Sequence, residues 1–336
     1  MKRTITWVSL ALLRSGGGWY GKAAREILGS FCDVSLKDIS FSSFRYRVFT
    51  YVKPLLIVLN LVLLWFKKAQ DVWIYDDIVS ALVPFWAKGR KMLVIYHIDP
   101  SVWPAWQRIV YQALRKYIYW NIRNVDGVIT ISKYWQDHFL DRGFKNVYKI
   151  YCPFVMEDFT LDEEEVLQFK KKFRLGDKPI IYLGNCQKEK GVMEAYEALK
   201  DLDLHLVTSG EPMVQLPALN LNLSRREYLC LLKASVVALT MSKFKEGWCI
   251  TAHEAMLLQT PVIGSGLGGM RELLEGGNQV VCEDFRLLRE KVEYFLRNPD
   301  ARNAAGKMGY EYAKNFSLER FENAWVRLIK NHLDKQ

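Results

Sequence analysis

The stretch Lys243-Phe-Lys-Glu-Gly-Trp-Cys-Ile-Thr-Ala-His-Glu-Ala-Met-Leu-Leu-Gln-Thr-Pro-Val-Ile-Gly-Ser265 decides the fold. The apolar run Val236–Thr240 before it reads as a buried strand, and Gly247 marks a turn. A helix is expected from about Trp248 to Leu258, followed by a second strand at Pro261–Ile263. The first N–H groups of such a helix lack partners within it, and the helix dipole favours an anion there. A pyrophosphate is therefore expected at the amides of Trp248, Cys249 and Ile250. Glu246 stands just before the helix, within reach of a ligand at its tip. Glu254 lies further in, where a carboxylate meets a hydroxyl-bearing group such as ribose. Two glutamates eight residues apart occur by chance in many helices, so the context carries more weight than the spacing.

Working outward, short apolar runs alternate with helical patterns along nearly the whole chain. Candidate strands are Thr4–Leu13, Val72–Tyr75, Met92–Tyr96, Gly127–Ile131, Val147–Ile150, Ile180–Leu183, His205–Thr208, Val236–Thr240, Pro261–Ile263 and Gln279–Val281. Such alternation argues for an α/β architecture of parallel sheets with crossover helices. The 336 residues suit two domains. The expected division is a Rossmann-like domain over residues 1–157, a second over 158–317, and a closing helix over 318–336 that crosses back to the first. Ligands of open α/β sheets bind outside the carboxyl ends of the strands, which places the expected site in a central cleft between the two domains.

Half of the residues are apolar and a quarter charged, the balance of a globular protein. The net charge of +10 is unevenly placed. Residues 1–160 hold 22 Lys+Arg against 12 Asp+Glu, and residues 161–336 hold 25 of each. Nine of the eleven tryptophans also fall in the first half. A basic, Trp-rich half suits an anionic partner, with nucleic acid and an acidic membrane surface as the two candidates, beside the plain reading of a merely basic protein. The six cysteines form no C-x-x-C pair, so neither a zinc site nor a redox motif is expected, and reduced thiols in a cytoplasmic protein are the simplest reading. Met1-Lys-Arg followed by Ile5–Leu13 imitates a signal peptide, but a first buried strand feeding the Gly-rich turn at Ser15–Gly18 explains it better. Leu55–Phe66 is too short to span a bilayer, which takes about 20 apolar residues. It reads as a core helix, with a helix lying in the membrane interface as the alternative.

Taken together, these segments resemble the retaining GT-B glycosyltransferases of family four, the group 1 glycosyl transferases. The family's E-x7-E donor motif is matched by Glu246-Gly247-Trp248, Glu254-Ala255-Met256 and Pro261-Val262-Ile263, followed by Gly268-Gly269-Met270-Arg271-Glu272. Ser15-Gly16-Gly17-Gly18 resembles the family's N-terminal glycine loop, and His97 in Val94–Asp99 its cleft histidine. Asp126–Ser132 is similar to a further family strand, and Phe316–Leu333 to its closing helix. Gly184-Asn-Cys-Gln-Lys-Glu-Lys190-Gly191 resembles G-R-x-x-x-x-K-G, with Asn185 where the family carries arginine. The span from Lys190 to Glu227 is also shorter than in the family.

The resemblance implies transfer of a hexose from a UDP- or GDP-sugar to an acceptor hydroxyl, on a lipid-linked molecule or a growing glycan. Glu246 would hold the donor sugar and Glu254 the ribose. Lys190, Gly16, Gly17, Gly18 and the helix start at Gly247, Trp248, Cys249 and Ile250 would face the diphosphate, and His97 would line the reacting face. No permanently bound cofactor and no metal are expected. Asp201-Leu-Asp203 reads as a turn rather than a metal motif, and Gly264-Ser-Gly266-Leu-Gly-Gly269 is too weak a spacing to mark a dinucleotide site. Lys188, Lys243 and Lys245 are candidates to replace the missing arginine. A cytoplasmic enzyme, peripheral on the membrane, fits these features, and nucleic acid is not the expected partner. The residues leave open a GT-B sugar-nucleotide epimerase or phosphorylase, and a non-catalytic basic adaptor on a decayed transferase fold.

Overall fold

The structure, a computed structural model, describes residues 2–9, 16–38, 70–76, 88–99, 101 and 105–333. It divides into two compact units, Met1–Pro153 with Leu318–Gln336, and Phe154–Ser317. The first unit carries β1 (Thr4–Ser9), β2 (Asp33–Asp38), β3 (Val72–Asp76), β4 (Arg90–Ile95), β5 (Gly127–Thr130) and β6 (Val147–Lys149), with helices α1 (Gly16–Gly29), α2 (Ala105–Ile122) and α3 (Lys133–Leu140). Its sheet is parallel throughout, in the order β2-β1-β3-β4-β5-β6. Strands of such a sheet are covered on both faces, which explains their nearly unbroken apolar runs.

The second unit carries β7 (Ile180–Asn185), β8 (His205–Ser209), β9 (Leu219–Leu221), β10 (Val237–Thr240), β11 (Val262–Gly264) and β12 (Val280–Val281). Its helices are α4 (Glu163–Lys172), α5 (Val192–Leu199), α6 (Arg225–Ala234), α7 (Ile250–Leu257), α8 (Met270–Gly276), α9 (Leu288–Arg297) and α10 (Pro299–Ala313). The sheet is again parallel, in the order β12-β11-β10-β7-β8-β9. The chain runs outward from β7 to β9, then returns to lay β10 on the other side of β7. The direction of winding therefore reverses between β7 and β10, and such switch points open a crevice at the carboxyl ends of the strands. Ile181, Leu183, Val237, Leu239 and Ile263 form the sheet side of this unit's core, packed against Val192 and Ala195 of α5 and Leu288 and Val292 of α9.

The last helix, α11 (Leu318–Leu333), belongs to the first unit and lies against α1. Trp325 is fully buried, with its ring 5.5 Å from that of Trp7 and 6.2 Å from that of Tyr20. Phe321 meets Tyr20 edge-on at 5.1 Å. The boundary between the units falls at Phe154, four residues before the expected start. The Phe154 amide donates to the Phe316 carbonyl at 3.0 Å and its ring stacks on His253 at 3.8 Å, so this residue belongs with the second core.

All ten expected strands are present. Two further strands, β2 and β9, went unpredicted, and both lie at sheet edges. Leu36 of β2 and Leu219 of β9 are well exposed, so neither strand carries the apolar run of a buried one. The glycines expected as a loop, Gly16 to Gly18, instead form the first turn of α1, where an N–H needs no partner within the helix. The segments 10–15, 55–66 and 102–104, which include Ser15 and the interfacial-helix candidate, lie outside the described residues. Among the described residues, no helix is long and apolar enough to cross a membrane.

His253 anchors α7 to the rest of the second unit. The Trp248 indole N–H donates to Nδ1 at 3.1 Å, which places the ring proton on Nε2, and Nε2 donates to the Ala313 carbonyl at 3.0 Å. Burial drives its pKa down to about 3, against the opposing pull of the Ala313 carbonyl. The unfolded chain therefore takes up a proton near pH 6.5 that the folded chain refuses. The stabilisation is present above pH 6.5 and is lost as pH falls from there toward about 3. Urea unfolding at successive pH values should show wild type losing stability relative to His253→Gln below pH 6.5, at a slope approaching about 1.4 kcal/mol per pH unit. Parallel curves for the two proteins would contradict this role.

Candidate functional site

The residues singled out in the second unit converge on its switch point. Lys190 follows the carboxyl end of β7, and Glu246 follows that of β10. The Lys190 ammonium donates to Glu246 Oε1 at 2.7 Å, and the Ser242 hydroxyl donates to the same oxygen at 2.5 Å. Glu246 is 7% exposed, and the Lys190 ammonium also lies 4.9 Å from the centre of the Phe244 ring. Burial pulls the Lys190 ammonium down, but Glu246 beside it outweighs that and holds it above the usual lysine range. In this arrangement the residue expected on the diphosphate and the residue expected on the sugar neutralise one another.

Backbone contacts fix this pair from two sides. Gly191 adopts φ +71°, and a Cβ there would lie 2.3 Å from the Met241 carbonyl oxygen. The Lys243 amide donates to the Glu189 carbonyl at 2.8 Å, so the loops after β7 and β10 are tied together directly behind Lys190. On the other side, the Gly269 amide donates to the Glu246 carbonyl at 2.9 Å and the Glu246 amide donates to the Leu267 carbonyl at 3.2 Å. Gly268 between them, at φ +68°, would put a Cβ 2.5 Å from the Glu246 carbonyl oxygen. The paired glycines of the motif therefore let their loop lie flat against Glu246. Gly264, the first of the G-x-G-x-x-G set, ends β11, where a Cβ would strike Thr240 and Met270.

The helix after Glu246 begins at Ile250, two residues later than expected, because Cys249 is extended (φ −83°, ψ 90°). The Trp248 side chain is buried and bonded to His253, so only its main chain is left to meet a ligand. Burial pushes the Cys249 thiol up to about 12, which keeps it neutral. Glu254, one turn into α7, is 4% exposed and accepts from Arg225 Nη1 at 2.6 Å. Burial raises the Glu254 carboxyl above its usual range, and Arg225 and the Tyr228 hydroxyl pull it part way back. Each acid of the motif thus has a cation from another part of the unit. Arg225, at the first position of α6, was not foreseen, since one arginine of an Arg-Arg pair after a short edge strand has no spacing signature. Ser242 was also missed, although it stands four residues before Glu246.

Asn185 ends β7 with its side-chain oxygen accepting from the Tyr182 hydroxyl and the Ser209 hydroxyl, both at 3.2 Å. It is tied to β8 and brings no charge. Of the proposed substitutes for the arginine, Lys243 is paired with Glu194 at 2.5 Å, while Lys188 and Lys245 are exposed. Asp203 lies in the turn before β8 and pairs with Lys178.

In the first unit, His97 lies two residues past the end of β4 and is half-buried. Tyr96 beside it meets Tyr20 of α1 edge-on at 5.6 Å, so His97 and the glycine turn of α1 share the carboxyl edge of that sheet. Asp126 does structural work here: its carboxylate accepts from the Lys91 amide at 2.8 Å and from Arg90 at 3.0 Å, joining the starts of β4 and β5. Ser132 caps α3.

Residues 163–312 match the family model described as glycosyl transferases, group 1. An uncharacterized glycosyltransferase of Methanocaldococcus jannaschii is 28% identical over 212 residues, 59% of this chain and 57% of the relative. A trehalose synthase of Pyrococcus horikoshii is 25% identical over 293 residues, 77% of this chain and 68% of that protein. The match thus spans little more than half the length of the M. jannaschii relative. Among solved structures, sucrose-phosphate synthase from Thermosynechococcus elongatus is similar with a TM-score of 0.81 at 16% identity, over 100% of both chains. HepE from Anabaena, solved in complex with UDP-glucose, gives a TM-score of 0.76 at 14% identity, over 98% of this chain and 99% of its own. At these identities the likeness speaks to the fold, which is GT-B, built from two Rossmann-like units. The donor motif lies inside the matched span, residues 163–312, which is similar to the group 1 glycosyl transferases.

Proposed function

We propose that this chain is a retaining glycosyltransferase that moves a hexose from a nucleoside-diphosphate sugar to an acceptor hydroxyl. The observation that carries the reading is the Lys190–Glu246 pair, a buried acid with a partly exposed cation at the switch point between β7 and β10, adjoining the start of α7. An arriving diphosphate offers Lys190 a stronger anion than one carboxylate, and charge-assisted bonds to phosphate are strong. The ammonium turns to the phosphate, and Glu246 is released to accept hydrogen bonds from the sugar hydroxyls. Glu254 accepts from the ribose hydroxyls, and the amides at the start of α7 face the diphosphate.

As the glycosidic bond breaks, negative charge grows on the leaving diphosphate. Lys190 and the helix start stabilise that charge, and the reading assigns no metal ion to the step. His97 lines the acceptor side. The donor is UDP- or GDP-linked, and the UDP-glucose complex of HepE makes UDP-glucose the first to try. With the donor as substrate, Glu246→Gln and Lys190→Ala should each lower turnover by about 10²–10³-fold. The unfolding transition of Glu246→Gln should stay within a few degrees of wild type, whereas Lys190→Ala, which strands the buried carboxylate, should unfold earlier. Wild-type turnover in either variant would sink the assignment.

The acceptor proposed is a glycan or lipid-linked hydroxyl, reached from the anionic cytoplasmic face of a membrane. The surplus of +10 in residues 1–160 supports this. So does the exposed pair Tyr117 and Trp120 on α2, stacked at 5.5 Å and flanked by Arg115 and Lys116. Aromatic rings beside cations suit the headgroup region of an anionic bilayer. Sedimentation with phosphatidylserine vesicles should show binding at low ionic strength that fades as salt screens the charges. An absence of binding at low salt contradicts the membrane part of the reading.

A further inference from the structure

The described residues put no arginine where the family carries one, at position 185, yet an unexpected arginine stands on the same wall of the site. We propose that Arg225 is the second phosphate-binding cation of this chain. This rests on the nucleotide-sugar reading given above.

Arg225 and Arg226 are neighbours with different surroundings. Arg226 is committed to holding its unit together. Its guanidinium bonds both oxygens of Glu165, at 2.9 and 2.6 Å, and the carbonyls of Thr160 at 2.8 Å and Asp158 at 3.3 Å. Arg225 has one hydrogen-bond partner among the described residues, Glu254 Oε1. Its side chain is 53% exposed while that of Glu254 is 6% exposed, so its remaining N–H donors face outward from a buried acid. A guanidinium presents its donors as a planar fork matched to phosphate oxygens.

Its position is fixed rather than incidental. Ser224 and Glu227 form a reciprocal capping box around it, which sets the backbone at the start of α6. The guanidinium carbon lies 5.7 Å from the Phe159 ring centre and 5.8 Å from that of Tyr228. The Tyr228 hydroxyl in turn donates to Thr251 Oγ1 at 3.3 Å, at the second residue of α7. The guanidinium and the start of α7 are thus separated by a single tyrosine. The same ring meets Tyr182 edge-on at 5.9 Å, and the Tyr182 hydroxyl reaches Asn185. A nucleotide with its ribose on Glu254 and its diphosphate at the start of α7 passes alongside Arg225, with the first phosphate nearest.

A phosphate contact and a merely structural hold on Glu254 make different predictions for a ligand series. Affinities for uridine, UMP and UDP, with the guanosine series in parallel, are measured by calorimetric competition for wild type, Arg225→Gln and Arg225→Lys. Ligand-free thermal unfolding of each variant checks the fold. In wild type the monophosphate should bind at least tenfold more tightly than the nucleoside. Arg225→Gln should reduce that gain to under threefold, and Arg225→Lys should keep part of it. If Arg225→Gln lowers nucleoside and monophosphate affinity by the same factor, or neither, the assignment is overturned. A wild type that binds none of these nucleotides overturns the nucleotide reading itself, and this assignment with it.

Discussion

The Glu246 carboxylate is buried at the end of a loop, and a lone buried carboxylate carries a desolvation cost of several kcal/mol. The Lys190 ammonium and the Ser242 hydroxyl offset that cost by converging on one oxygen. For them to converge, the loops after β7 and β10 must touch, and the Gly268 loop must lie against the backbone of Glu246. The order of strands supplies the rest. Because the sheet reverses its winding between β7 and β10, those loops begin on adjacent strands and can meet at the switch point.

The same economy of charge governs the second acid. Glu254 is inside a helix, with its nearest positive charge on another helix, α6. Both acids are thus matched by cations that reach in from other elements of the same unit, and both cations have exposure that their acids lack. A site of this kind is close to neutral when empty. A ligand that brings hydroxyls for the acids and phosphates for the cations replaces each internal pair with contacts of its own. Rigidity comes from behind: His253 and Trp248 bind α7 to Phe154, Phe316 and Ala313, so the acids are presented from a packed support.

The sequence carries most of this, for reasons that differ from element to element. The central strands were legible because a parallel strand covered on both faces must be apolar along its length. β2 and β9 were not, because an edge strand with exposed side chains leaves only a weak pattern. Glu246, Glu254 and Lys190 were legible through the company they keep with glycine turns and strand ends. What the spacing did not reveal was their pairing. Lys190 meets Glu246 across 56 residues and Arg225 meets Glu254 across 29, contacts set by strand order rather than by any local pattern. Trp248 carries two roles that the motif does not separate: its amide is the group expected at a ligand, while its side chain serves the core.

A Lys190–Glu246 pair that holds a nucleotide-sugar site in its empty state must open when a donor binds. Thermal unfolding of the intact chain with UDP-glucose, and with a panel of UDP- and GDP-sugars, tests it most directly. A ligand that binds only the folded chain raises its transition by mass action, by about 2.7 kcal/mol of added stability at a hundredfold excess over Kd. A concentration-dependent rise is expected with at least one of these donors. An unchanged transition across the whole panel at millimolar concentrations would contradict it.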